Sequence, residues 1–301
     1  MPNEIKKESE HNHGFKSKFQ EAFDAFTPIA SPQAVNDEIA RLINLHRDSM
    51  QTKGTARLIH SLIDLTTLSA TDHADHVYHM VSKVNELDST SPDIPPVASI
   101  CVYPNFVATV REFLGVEGVG VCAVSGGFPS SQTFTEIKVA ETALAVKDGA
   151  NEIDIVLHVG NFLAGDYNAV VTEIEELRDV TRDVTLKVIL ETGALGSLEN
   201  IQRASIISLF CGADFIKTST GKEFPGASLP AAYVMATVLK EYYEKYGIRK
   251  GLKISGGVRT VEEAIEYLCI VKGVLGEEWL NNELFRFGAS SLEGNVLKAL
   301  Q

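Results

Sequence analysis

From about residue 56 onward, short apolar runs alternate with longer stretches of helical period. The runs fall at 58–65, 97–102, 118–124, 152–157, 186–191, 214–218, 251–254 and 285–289. Many are rich in β-branched residues, which predicts strands. Helical patterns lie between most of them, at 133–148, 166–180, 198–211, 229–246 and 261–271. Eight strands, most followed by a helix, predict an α/β fold, a closed (β/α)8 TIM barrel. A doubly wound sheet is the rival, and no GxGxxG follows the first run to support it. Residues 1–52 are more polar and predict a partly helical N-terminal extension to a barrel domain over 53–301. Within it, one amphipathic helix is expected over about 32–48. Ile39, Leu42, Ile43 and Leu45 lie roughly on one side, Ser31 suits the N-cap and Pro32 the first turn.

Side chains alternate across a strand. In the fourth run Ile153 and Ile155 share one face, and Glu152 and Asp154 the other. Lys187, Lys217 and Lys253 likewise lie opposite aliphatic neighbours in the next three runs. In a barrel the aliphatic face meets the helices, so Asp154, Lys187, Lys217 and Lys253 converge on the axis. Asp64, near the end of the first run, can join them. Burying unpaired charge is costly, so such a cluster is either a satisfied salt-bridge network or a reactive centre. Neighbouring ammonium groups and desolvation both disfavour protonation, and a lysine with a lowered pKa is a nucleophile able to form a Schiff base.

Glycine-containing turns follow three successive strands. They contain Gly221 and Lys222, then Gly256 and Gly257, then Gly288 with Ser290 and Ser291. Glycine lets backbone N–H groups approach an anion, and helix N-termini favour negative charge. Loops after the seventh and eighth strands of a barrel commonly hold phosphate. Ordinary turns with serine caps are the plainer reading of any one of them.

Charge and composition narrow the class. The 301 residues are 45% hydrophobic and 22% charged, an ordinary globular composition. The formal net charge of -13 disfavours nucleic acid as a partner, while a phosphorylated small molecule stays compatible through a local basic cluster. No apolar run approaches the roughly 20 residues that span a bilayer. The first residues lack the apolar core of a signal peptide, and Cys101, Cys122, Cys211 and Cys269 show no CxxC spacing. They read as reduced thiols in apolar surroundings of a cytoplasmic protein. His73, His76 and His79 fall on a predicted helix and read as a solvated face rather than a zinc site. Cys101 reads as a structural thiol, and Trp279, Phe285 and Phe287 as core.

Seven ordered stretches then resemble one family. They are Ile63 to Leu68, Ser99 to Pro104, Asn151 to Val156, Lys187 to Gly193, Phe215 to Lys222, Lys253 to Thr260 and Arg286 to Leu292. Together they are similar to deoxyribose-phosphate aldolases, over about residues 56 to 300. The resemblance implies a (β/α)8 barrel that cleaves 2-deoxy-D-ribose 5-phosphate reversibly to acetaldehyde and D-glyceraldehyde 3-phosphate, with no cofactor and no metal. It implies Lys217 as the imine-forming lysine, with Lys253 and Asp154 in proton transfer. Asp64, Thr220 and Lys187 are implied at the substrate. Gly221, Lys222, Gly256, Gly257, Gly288, Ser290 and Ser291 are implied at the phosphate.

Departures from the family pattern are a longer lead-in, Ser255 where alanine is frequent, and an end at Leu300-Gln301 without a tyrosine-bearing tail. The expected partners are a phosphorylated sugar and aldehydes, with no nucleic acid and no membrane, and a homo-oligomer, a dimer by preference. The alternatives are an aldolase with another donor or acceptor, a metal-dependent aldolase or isomerase, and a catalytically silent sugar-phosphate binder.

Overall fold

The computed structural model describes residues 18–301. His11 and His13 lie outside the described residues. The helices are α1 (Lys18–Asp24), α2 (Pro32–Met50), α3 (Lys53–Ser61), α4 (Ala74–Thr90), α5 (Val107–Phe113), α6 (Thr135–Lys147), α7 (Val159–Leu163), α8 (Tyr167–Asp179), α9 (Thr192–Leu195), α10 (Leu198–Phe210), α11 (Leu229–Tyr246), α12 (Val261–Leu275) and α13 (Leu292–Leu300). The strands are β1 (Ile63–Thr66), β2 (Ser99–Val102), β3 (Gly120–Ser125), β4 (Glu152–Val156), β5 (Thr185–Ile189), β6 (Phe215–Lys217), β7 (Gly251–Ser255) and β8 (Phe285–Ala289). All eight strands are parallel, each pairs with the next, and β8 closes on β1. The fold is therefore a (β/α)8 barrel.

The strand alternation sorts the two faces. Ile63, Ile153, Ile155, Leu186, Val188, Leu252, Ile254, Phe285 and Phe287 are fully buried in the layer between sheet and helices. The opposite face carries Asp64, Cys101, Cys122, Glu152, Asp154, Lys187, Phe215, Lys217, Lys253 and Arg286 into the barrel, all buried. Trp279 is buried with the core, as its sequence context suggests.

One run departs from its expectation. Residues 58–65 divide, with the first part closing α3 and only Ile63–Thr66 pairing in the sheet. Thr52 caps α3 by accepting from Thr55 N–H, and Ala56, Ile59 and His60 form its buried side. That spacing of three and four is helical, and a short apolar run alone does not separate the two periods.

The extension packs on the outside of the barrel. α2 begins as its sequence predicts, with Ser31 accepting from Ala34 N–H and Pro32 in the first turn. It runs two residues further than expected, to Met50. Val35, Ile39 and Leu42 are buried against α11 and α12, and Arg47 pairs with Glu266 of α12. Phe23 of α1 meets Tyr167 edge-on, and Thr27 N–H donates to Glu241 of α11 at 3.0 Å.

Candidate active site

The interior is built in two tiers. At the N-terminal end of the strands, Arg286 donates to Asp64 Oδ1 at 2.5 Å and to Glu152 Oε1 at 2.9 Å. Phe215 closes this end, with its ring occupying the space that a Cβ on Gly251 would enter. Lys187 and Arg286 both stand near the face of that ring, at 5.9 and 5.8 Å from its centre. Lys187 donates to Glu152 Oε2 at 2.5 Å and to Asp154 Oδ1 at 3.1 Å, joining the lower tier to the upper one.

In the upper tier a single oxygen, Asp154 Oδ2, accepts from Lys217 at 2.8 Å and from Lys253 at 2.7 Å. Lys253 also pairs with Asp64 Oδ2 at 2.5 Å. β4 in the register of β5, and β6 in that of β7, bring these groups together, since Asp154 faces Lys187 and Lys217 faces Lys253. Gly288 of β8 leaves the room that Lys253 needs, because a Cβ there would stand 3.0 Å from Lys253 Cε.

Burial alone would push the Asp154 carboxyl up, but Lys187, Lys217 and Lys253 outweigh it and hold it well below the usual range. Asp64 is lowered in the same way, burial being overcome chiefly by Lys253 and Arg286. The sequence reading expected crowded ammonium groups to depress one another. Lys253 instead lies well above its ordinary value: burial lowers it, and Asp154 and Asp64 raise it by more. Lys187 is raised likewise. The cause is the number of carboxylates, since Glu152 and Asp64 supplement Asp154.

Above this tier opens a cavity of about 520 Å³ at the C-terminal ends of β1, β6, β7 and β8. Lys217 and Thr220 reach it, whereas Lys187, Lys253, Asp154 and Asp64 lie beneath, fully buried. Lys187 is thus held behind Asp154 by its bonds to Glu152 and Asp154, outside the cavity wall. Gly221, Lys222, Gly256, Gly257, Gly288, Ser290 and Ser291 all line the cavity. Gly221, Gly256 and Gly257 have positive φ of 73°, 84° and 101°, a conformation that side chains with a Cβ disfavour. Lys222 Nζ donates to the Leu68 carbonyl. Anion recognition by backbone N–H groups and one ammonium is the chemistry such a wall supports.

Sequence reasoning missed three groups. Glu152 and Arg286 complete the lower tier, and strand alternation contained the signal for both, since Arg286 lies between outward Phe285 and Phe287. Alternation places Glu191 on the face of Lys187, but it gave no hint of the left-handed turn after β5 that brings its carboxylate to Thr220. Cys101 and Cys122 are buried as expected and pack with Leu68 and Val124, but they also border the charged interior. They face each other across β2 and β3 inside the charged interior, and Cys122 donates to Asp154 Oδ1 at 3.1 Å. With Asp154 they form the one group among the described residues spaced as metal ligands are. Three lysine nitrogens already surround Asp154, so this donor set does not suit a cation. His73, His76 and His79 are exposed, and His76 pairs with Asp72 at 2.8 Å.

The model of the DeoC/LacD family aldolases matches residues 58–291. A Caenorhabditis elegans relative, provisionally described as a deoxyribose-phosphate aldolase, is 42% identical over 270 residues, spanning 88% of this chain and 89% of the relative. The mouse deoxyribose-phosphate aldolase is 42% identical over 201 residues, spanning 66% of this chain and 63% of the mouse protein. A solved Coccidioides immitis structure, also provisionally described as this aldolase, superposes with a TM-score of 0.70 at 28% identity. It covers 88% of this chain and 98% of its own.

Proposed function

The chain belongs to the DeoC/LacD family of aldolases, and we propose that it cleaves 2-deoxy-D-ribose 5-phosphate reversibly to acetaldehyde and D-glyceraldehyde 3-phosphate through a lysine imine. The observation that carries this reading is the oxygen of Asp154 shared by Lys217 and Lys253 at 2.8 and 2.7 Å, at the foot of a glycine-walled cavity. Lys217 is the nucleophile, because it alone of the three lysines reaches that cavity.

In the cleavage direction the neutral Lys217 amine adds to the C1 aldehyde of the open-chain sugar, and water leaves to give a protonated imine. Deprotonation of the C3 hydroxyl breaks the C2–C3 bond, and its electron pair moves into the imine to form an enamine. D-glyceraldehyde 3-phosphate departs, the enamine carbon is protonated, and water releases acetaldehyde and the free lysine. The imine is the electron sink, so no metal ion is needed. Asp154, Lys253 and an ordered water relay the protons, a class of contribution worth about 10²–10⁴ in rate. Asp64 and Lys187 hold Lys253 and Asp154 from beneath. Thr220 meets the sugar, and Gly221, Lys222, Gly256, Gly257, Gly288, Ser290 and Ser291 hold its phosphate.

We further read the protein as a cytoplasmic homo-oligomer, a dimer by preference. Four buried, unbridged cysteines suit a reducing compartment. Phe134 at the N-cap of α6, with Ile137 and Leu144 on that helix, are 77%, 57% and 57% exposed and suit a covered surface. Among the described residues no helix is long and apolar enough to cross a membrane.

The test is borohydride reduction in the presence of 2-deoxyribose 5-phosphate and EDTA, read by peptide mass spectrometry. The expected result is an adduct on Lys217 and turnover that the chelator leaves unchanged. A folded protein that binds the sugar phosphate without any adduct would sink the imine reading.

A further inference from the structure

We infer that Glu191 is a positioning residue that locks the loop between the imine lysine and the phosphate wall. This rests on the reading of Lys217 and the cavity given above. Glu191 stands at φ 55°, ψ 60°, one of two non-glycine residues with positive φ among the described residues. A bulky residue is rarely held there unless its surroundings require it.

The surroundings are specific. On one side of Glu191, Leu190 N–H donates to the Lys217 carbonyl at 2.9 Å, and on the other Thr192 N–H donates to the Thr218 carbonyl at 2.9 Å. The left-handed turn between these bonds swings the side chain over β6. Its carboxylate then accepts from Thr220 N–H at 3.3 Å and from the Thr220 hydroxyl. The same hydroxyl oxygen accepts from Lys222 N–H at 3.2 Å. One buried carboxylate thereby fixes the chain from Lys217 through Thr220 to Lys222. Lys217 forms the imine, and Gly221 and Lys222 meet the phosphate.

The group is 4% exposed and lines a second cavity of about 230 Å³ on the far side of Thr220. It therefore acts through Thr220, behind the wall that the sugar phosphate meets. Such a lock couples the two ends of the substrate. Binding energy at the phosphate reaches the reacting carbon only while the loop between them is stiff.

Three variants separate the roles. Glu191→Gly keeps the left-handed backbone and removes the carboxylate. Glu191→Gln keeps the volume and one acceptor. Thr220→Val removes the hydroxyl on which the carboxylate acts. With 2-deoxyribose 5-phosphate, Glu191→Gly is expected to lower kcat by about tenfold to a hundredfold, with KM changed less. With unphosphorylated deoxyribose the loss is expected to be smaller, so the advantage given by the phosphate shrinks. Glu191→Gln should recover part of the loss. Glu191→Gly in the Thr220→Val background should add little.

An unchanged ratio between the two substrates in Glu191→Gly would overturn the inference, as would an equal loss on both with a lowered Tm. Should Glu191→Gly fail to fold, Glu191→Gln carries the same comparison. Titration with inorganic phosphate reads the lock without turnover, and weaker binding by Glu191→Gly is expected. If the wild-type chain does not cleave the sugar phosphate, the proposed reaction fails, and equal phosphate affinity in variant and wild type then overturns Glu191 separately.

Discussion

Lys217 and Lys253 differ in access although both bond the same oxygen of Asp154. Lys217 opens on the cavity, whereas Lys253 is sealed between Asp154 and Asp64. Replacing Lys217 by Ala should therefore abolish turnover and the borohydride adduct together, and full activity in that variant would discard the assignment. Asp154→Asn should cut kcat by about 10²–10⁴ and lower the melting temperature as well, because three lysines lose their shared carboxylate, checked by kinetics beside circular dichroism. Lys222→Ala should raise KM for the phosphorylated sugar by about tenfold or more, from the loss of a charge-assisted bond, and change deoxyribose far less. The buried charges also set a pH window for stability. Asp154 and Asp64 lie below their unfolded values, so their contribution is present above about pH 4 and fades as pH falls below it. Lys253 lies above its unfolded value, so its contribution is complete below about pH 10 and fades as pH rises further. Denaturant melts should show a plateau between these limits and a decline on either side. A midpoint that climbs steadily through neutrality would contradict the network.

The elements show how much the sequence already contained. Period-two alternation located Asp154, Lys187, Lys217 and Lys253 on one face, and the sheet register then brought them into contact. Their partners were harder to see, because ion pairing between β4 and β8 joins residues 134 positions apart. Alternation put Glu191 on the face of Lys187, but its role was hidden for a local reason: a single left-handed residue redirects the side chain to Thr220. Two contacts between helices can be tested directly. Lys138 of α6 is fully buried and pairs with Glu173 of α8 at 2.7 Å, so Glu173→Gln should cost about 3–5 kcal/mol by leaving an uncompensated ammonium. Gly273 of α12 lies where Leu42 of α2 comes close, since a Cβ there would stand 2.5 Å from Leu42 Cδ2. Gly273→Ala should lower stability by about 1–3 kcal/mol through overpacking, and faster proteolytic release of α2 would show it.

At the scale of the whole molecule, two electrostatic characters coexist. The chain carries a formal net charge of -13, whereas the cavity wall presents Lys217, Lys222, Arg259 and glycine N–H groups. Closure of the barrel makes this separation possible, because the inward face of every strand is shielded by its neighbours from the acidic exterior. Alternation and loop composition were enough to predict the closed barrel, while the docking of the extension depends on close approaches such as that of Leu42 to Gly273. Asp64, Glu152 and Asp154 face Lys187, Lys217, Lys253 and Arg286, which makes three acids against four bases. With every group ionised, the chamber holds one proton more than electroneutrality requires. Arg286, at the opposite end of the strands from the cavity, contributes one of those positive charges through Asp64 and Glu152, so a side chain the substrate never meets adds to the positive potential beneath the anion-binding wall.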